Sequence, residues 1–266
     1  MPESRLRITY VGHATTLVEL DGVRILTDPV IRRRVVHLHR LVALGRSGKE
    51  AIRNPHAILI SHLHFDHFDP GSLRIFDRAT TVLVPRGGAV QVLRRRGFTD
   101  VHGVDAGMSV RIGSVTVRAV HALHPGSRGI PWVKGPALGY AIEGSSSVYF
   151  AGDTDVFPEM SELSGADVAL LPVAGWGPRL PEGEHMNPKR AAEALKVLEP
   201  GVAIPIHWGT LAPLWAPNGY PALGSPAEDF RRYAGEIAPE VEIRVLEHGQ
   251  AYTMPTTLRD PAARSR

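Results

Sequence analysis

Six residues, His62-Leu63-His64-Phe65-Asp66-His67, carry three imidazoles and one carboxylate directly after the apolar run Ala57-Ile58-Leu59-Ile60. A buried strand that ends in such a cluster delivers several ligand groups to one point at a sheet edge. Neutral imidazole and carboxylate suit zinc, and in the absence of thiolate they also suit iron or manganese. The chain has no cysteine, so thiolate ligands and disulfides are excluded.

Further candidate ligands sit at other strand ends. His121 follows the strand expected over Val115 to Val120. Asp153 follows Val148-Tyr149-Phe150-Ala151-Gly152, and His207 follows Val202-Ala203-Ile204-Pro205-Ile206. Two divalent cations about 3.5–4 Å apart need a bridging ligand that offsets their repulsion, and a carboxylate does this. Asp153 has two oxygens for that role. Such a pair lowers the pKa of a shared water toward about 7 and makes hydroxide available as nucleophile, so no Ser or Cys nucleophile is required. Asp66 is the candidate catalytic carboxylate, ligating one metal and orienting the water.

The rest of the chain reads as short strands with helices interspersed. Strands are expected at Leu6 to Val11, Thr16 to Leu20, Val23 to Thr27, Ala57 to Ile60, Thr81 to Val84, Val115 to Val120, Val148 to Phe150, Val168 to Leu171 and Val202 to Ile206. Asp21-Gly22 reads as a two-residue hairpin turn, since both residues tolerate positive φ. Asn187 caps a helix that begins at Pro188, with Ala191, Ala194, Leu195 and Leu198 on one face. Ser225-Pro226-Ala227-Glu228 is a capping box for a second helix running to about Gly235, and a third covers Ala89 to Arg96. The segment Arg128 to Gly139 reads as a loop. This pattern favours an α/β fold of four αββα layers, two mixed β-sheets with outer helices. Residues 1–255 are expected to form one domain, and residues 256–266 a polar, frayed tail.

Composition narrows the partners. The chain of 266 residues is 43% hydrophobic, and its 30 basic and 27 acidic residues give a net charge of +3. That balance, without a basic stripe interleaved with aromatics, argues against nucleic acid. No run reaches the roughly 18 apolar residues that span a bilayer, and Met1 to Arg5 has no secretory pattern. A cytoplasmic protein without stable membrane insertion is expected. Basic residues Arg32, Arg33, Arg34, His37, His39 and Arg40 crowd the start of the loop from Ile31 to Lys49 and would attract an anionic small molecule if they overhang the metals. Oligomeric state is not legible.

The His-x-His-x-Asp-His pattern with these later ligands resembles the metallo-β-lactamase superfamily. The resemblance implies that His62, His64 and His121 hold one metal, that Asp66, His67 and His207 hold the other, and that Asp153 joins them. His124 competes with His121; His121 is preferred because it comes directly off its strand, whereas His124 precedes Pro125-Gly126. Val11-Gly12-His13-Ala14-Thr15, Ile25-Leu26-Thr27-Asp28-Pro29, Gly152-Asp153-Thr154, Glu184-His185-Met186-Asn187 and His207-Trp208-Gly209-Thr210 follow in order. Together they resemble the branch that contains N-acyl-phosphatidylethanolamine-hydrolysing phospholipase D and ascorbate-6-phosphate lactonase.

That resemblance implies a hydrolase with two divalent metal ions, zinc first, with manganese or iron as alternatives. A phosphodiester is the first substrate class and a lactone or carboxylic ester the second. From another class, an iron-dependent oxidoreductase on the same fold stands as the rival. His185 is expected to face the site as a second catalytic residue, contacting a substrate oxygen or protonating the leaving group. Asp28 is expected to orient a metal-bound histidine. His13 is expected to hold a loop near the metals, His124 to contact substrate if it is no ligand, and Trp176 to wall the pocket.

Overall fold

The computed structural model describes residues 6–126, 134–175, 183–216 and 225–255. Among the described residues, two seven-stranded mixed sheets and a three-stranded sheet form the framework. The first large sheet runs, in spatial order, Ala251–Thr253, Leu6–Gly12, Thr15–Leu20, Val23–Thr27, Ala57–Leu59, Thr81–Pro85 and Val101–Val104. Its first four strands pair antiparallel and the rest parallel. The second runs Glu242–Ile243, Val202–Ile206, Val168–Pro172, Ser147–Phe150, Leu138–Glu143, Val115–His121 and Ser109–Ile112. Here the first four strands pair parallel and the rest antiparallel.

Alternation along the strands explains the layers. In the first sheet Leu59 and Leu83 enter the core shared with Val117, Tyr140, Phe150 and Leu170 of the second sheet. Their neighbours Ile58, Ile60, Val82 and Val84 point the other way, into a separate core with Ala89 and Leu93. Successive strand residues face opposite sides, so a strand apolar at every position is buried on both faces. The helix Gly88–Arg95 covers the first sheet, and Pro188–Leu198 and Ser225–Ile237 lie against the second. This is the expected two-sheet α/β fold.

Local rules hold where they were clearest. Asn187 accepts the Arg190 backbone N–H at 2.9 Å, with Pro188 as the first helical residue. Asp21 and Gly22 both have positive φ, 49° and 80°. Five strands of the two large sheets went unread, among them the short Glu242–Ile243 and Ala251–Thr253. Val101–Val104 and Ser109–Ile112 are short, and Leu138–Glu143 begins inside the segment read as a loop. The loop from Ile31 to Lys49 holds a hairpin, Arg34–Val35 and Leu38–Arg40, which pairs with Leu211–Pro213 to form the small sheet. Its core of Val30, Val35, Leu38 and Leu211 is packed by Phe65, the residue between His64 and Asp66. The polar tail and Trp176 lie outside the described residues.

Candidate metal centre

Residues of the candidate site gather at the C-terminal ends of parallel strands from both sheets, where the two sheets open toward a common edge. Asp28 follows Val23–Thr27, His62 follows Ala57–Leu59, Asp153 follows Ser147–Phe150, and His207 follows Val202–Ile206. Crevices of this kind are where mixed and parallel sheets bind ligands. Gly152, with φ of 61°, lets Asp153 in: a Cβ there would come 2.6 Å from Ser61 Cβ.

Among the described residues, two candidate ligand sets result. His62, His64, His124 and Asp153 form one, and His13, Asp66, His67 and His207 the other; within each set one potential ligand atom per residue lies within 4.8 Å of all the others. Asp153 connects them. Its Oδ2 is 3.9 Å from His62 Nε2, 3.2 Å from His67 Nε2 and 3.3 Å from His207 Nε2. Its Oδ1 is buried without a hydrogen-bond partner, as are His62 Nε2 and His67 Nε2. Buried polar atoms are rarely left so.

Hydrogen bonds fix how the imidazoles present themselves. Asp28 Oδ2 accepts from His67 Nδ1 at 2.7 Å and from Ser61 Oγ at 2.6 Å. Ser61 Oγ, its proton spent on Asp28, accepts from His62 Nδ1 at 3.0 Å. One carboxylate thus turns the Nε2 atoms of two imidazoles, one in each set, inward. His124 Nδ1 donates to Glu184 O at 2.6 Å, so its Nε2 lone pair faces His64 Nδ1 at 3.1 Å. An imidazole locked by a carboxylate or carbonyl on one nitrogen, with the other unprotonated, is prepared for a cation.

Electrostatics agrees with the donor set. Burial would raise the Asp153 carboxyl, but His207, His67 and His185 hold it well below the usual range. Asp66 behaves alike through His67 and His13. Burial pushes His67 down, yet Asp153 and Asp66 hold it well above its ordinary value. His207 is brought to about 9 by the same two carboxylates against its burial. Burial depresses His13 and His64 to about 3. Two buried carboxylates therefore demand positive charge at a point lined by imidazole nitrogens, and metal ions fit that demand. Metal ions held by such a donor set would supply Lewis acidity and activate water.

The geometry corrects one expectation. His121, preferred as the third ligand of the first set, is exposed and lies edge-on to Phe157 at 5.1 Å. Strand alternation does not account for this exposure, since Val115, Val117 and Ala119, on the same face of the strand as His121, are buried in the core. His124 stands in its place, brought round by the turn in which Asp155 N donates to Leu123 O and Leu123 N to Thr154 Oγ1. His13, read as a loop-holding residue, has its Nε2 3.1 Å from Asp66 Oδ2. His185 lies beside His124, rings 4.4 Å apart, with Nδ1 3.6 Å from Asp153 Oδ2. Burial lowers its imidazole to about 4.

The basic loop is largely committed internally. Arg32 makes a two-point ion pair with Asp69, both contacts 2.7 Å. Arg40 donates to Val30 O at 2.7 Å. Arg33 and Arg34 remain exposed. Sequence reasoning missed Asp155, which accepts Gly183 N at 2.8 Å and Arg190 Nε at 3.0 Å and so tethers the segment carrying His185. An Asp two residues past the bridging Asp153 was the available signal. A separate open cleft of about 740 Å³, between Lys49–His56 and Ile75–Thr80, lies at the N-terminal ends of Ala57–Leu59 and Thr81–Pro85, away from this chemistry. No helix among the described residues is long and apolar enough to cross a membrane.

Residues 23–208 match the family described as beta-lactamase superfamily domain. With its two-sheet fold and paired His/Asp sets, the chain belongs to that superfamily, in its metallo form. It is 32% identical over 254 residues to a UPF0173 metal-dependent hydrolase of Methanopyrus kandleri, across 93% of this chain and 99% of that one. Within the superfamily the chain thus belongs to the family of UPF0173 metal-dependent hydrolases. Among solved structures, Igni18, described as a novel metallo hydrolase from Ignicoccus hospitalis, aligns with a TM-score of 0.69 at 25% identity, covering 94% of this chain and 98% of its own. CmlA, a diiron β-hydroxylase from Streptomyces venezuelae, shares the fold with a TM-score of 0.67 at 22% identity, over 96% of this chain and 55% of its own.

Proposed function

We propose that this protein is a dinuclear metal-dependent hydrolase acting on a small ester, a phosphodiester first and a lactone second. The observation that carries the dinuclear reading is Asp153, whose Oδ2 stands within 4 Å of imidazole nitrogens from both sets. His62, His64 and His124 would hold one metal, Asp66, His67 and His207 the other, and Asp153 would bridge. When bound, such a pair supplies Lewis acidity and activates water near neutral pH. Zinc suits the first set, with its three imidazoles and one carboxylate.

The remaining residues position and shield. Asp66 holds its charge at neutral pH and can orient the attacking water. His185, lowered to about 4 by burial, is a neutral imidazole at pH 7. That favours hydrogen bonding to a substrate oxygen over proton donation from an imidazolium. Exposed Arg33 and Arg34 on the neighbouring hairpin would favour an anionic substrate, although Arg32 and Arg40 are spent within the protein.

The iron-dependent oxidoreductase stands second. It is favoured by the likeness of fold to a diiron β-hydroxylase, and opposed by the family of metal-dependent hydrolases to which the chain belongs. The test is hydrolysis of a chromogenic phosphodiester beside a panel of lactones by zinc-loaded protein, with Asp66→Ala as blank. A phosphodiester rate lost in the variant supports the first reading, and lactone turnover alone moves it to carbonyl chemistry. Silence on both, with oxygen consumption by iron-loaded protein, would replace hydrolysis by redox chemistry.

A further inference from the structure

We propose that His13 is itself a ligand of the second metal, giving that site five protein ligands and the five- or six-coordinate geometry of manganese(II), iron(II) or cobalt(II) rather than tetrahedral zinc. The inference rests on the dinuclear reading above and concerns how the two metals differ. The first set offers three imidazoles and Asp153, four ligands, which is the number tetrahedral zinc takes. The second offers His13, Asp66, His67 and His207, and Asp153 Oδ2 lies 3.2 and 3.3 Å from two of their nitrogens. Four ligands and a shared one make five. Three imidazoles with two carboxylates and one open position suit an octahedral first-row cation.

His13 is built into this place by the backbone. Its Nε2 lies 3.1 Å from Asp66 Oδ2, the same oxygen that stands 3.5 Å from His207 Nε2 and 3.7 Å from His67 Nε2. Its ring centroid is 3.9 Å from that of His207. His13 and His207 both have left-handed backbone, φ of 58° and 64°. Such residues are uncommon, and they concentrate at functional sites held by surrounding structure. Here the two are joined: His207 N donates to His13 O at 3.0 Å. The His13 N–H is shared between Thr210 Oγ1 at 2.6 Å and the Tyr10 hydroxyl at 3.0 Å. Gly12, with φ of 131°, makes the approach possible, since a Cβ there would come 2.8 Å from Thr210 Cγ2. A loop-holding histidine needs none of this aim.

The test is cobalt(II) titration of the metal-free full-length chain, with bound metal counted by mass spectrometry and the visible d–d spectrum recorded. Wild type is compared with His13→Asn, because Asn tolerates the left-handed backbone, and with His13→Gly with and without added imidazole. Circular dichroism checks the fold. Wild type is expected to bind two cobalt ions, one with the intense absorption of four-coordinate cobalt and one with the weak absorption of higher coordination. In His13→Asn the second ion is expected to bind at least about tenfold more weakly with an altered spectrum, and imidazole is expected to restore it in His13→Gly. Two four-coordinate spectra in wild type would overturn the proposal without recourse to any variant. An unchanged second site in both variants would do so as well, leaving His13 as a hydrogen-bond partner of Asp66. Fewer than two ions in wild type would overturn the dinuclear reading and this inference with it.

Discussion

The two candidate ligand sets meet at one carboxylate, Asp153, and differ in nearly everything else. Apart from Asp153, the first set takes His62 and His64 from one short motif and His124 from elsewhere. His124 is half-buried, so the first set meets the outside through it and His185. The second set is buried throughout, at 5% exposure or less for His13, Asp66, His67 and His207. It is drawn from three separate segments and includes two histidines with left-handed backbone. The lesson concerns how precision is obtained. A local motif aims its residues through one strand end, while a dispersed set needs backbone strain and long-range hydrogen bonds to aim each residue separately.

Removing what the sets share should have the largest effect. Asp153→Ala is expected to weaken both metals more than about a hundredfold, beyond the range for residues that merely support ligands; metal content after gel filtration measures it. Retention of both ions would break the idea of a shared bridge.

Asp28→Ala should come next, since Asp28 holds His67 directly and His62 through Ser61. We expect each set to lose about 10–100-fold in metal affinity, and the metal-free fold to lose roughly 3–5 kcal/mol, because a buried partner is removed. Denaturant titration checks the second figure. Loss confined to one set would show that the Ser61 relay does not orient His62.

A pair of variants sharpens the first set. His124→Ala should weaken one metal and spare the other, whereas His121→Ala, at an exposed position, should leave metal content intact and change stability by no more than about 0.5 kcal/mol. The reverse pattern would restore His121 as the ligand.

The smallest effect tests the scaffold behind the second set. His248 Nε2 lies 2.8 Å from Thr210 Oγ1, and burial and Arg40 lower its imidazole to about 4. With the unfolded value near 6.5, the unfolded chain binds the extra proton between about pH 6.5 and 4. Stability from this group is therefore full above 6.5 and falls as pH drops through that window. His248→Gln should flatten the fall of the denaturation midpoint from pH 6.5 to 4.5. An equally steep fall in the variant would assign the acid sensitivity to other groups.

The sequence by itself determined the two-sheet α/β architecture and most of the ligand types. Doubly buried strands are apolar at every position, and a strand end fixes where the next residue goes, as with His62, Asp153 and His207. It also announced the cap at Asn187 and the turn at Asp21-Gly22, where the rule is local. Tertiary structure alone decided between His121 and His124, because three residues of turn after a strand redirect the chain by hydrogen bonds to Thr154 and Glu184 that no spacing encodes. It alone brought His13 to Asp66, across 53 residues, by closing the first sheet onto the loop after His207. A residue held by neighbours distant in sequence leaves no periodic trace; its position exists only once the strands that carry those neighbours have packed.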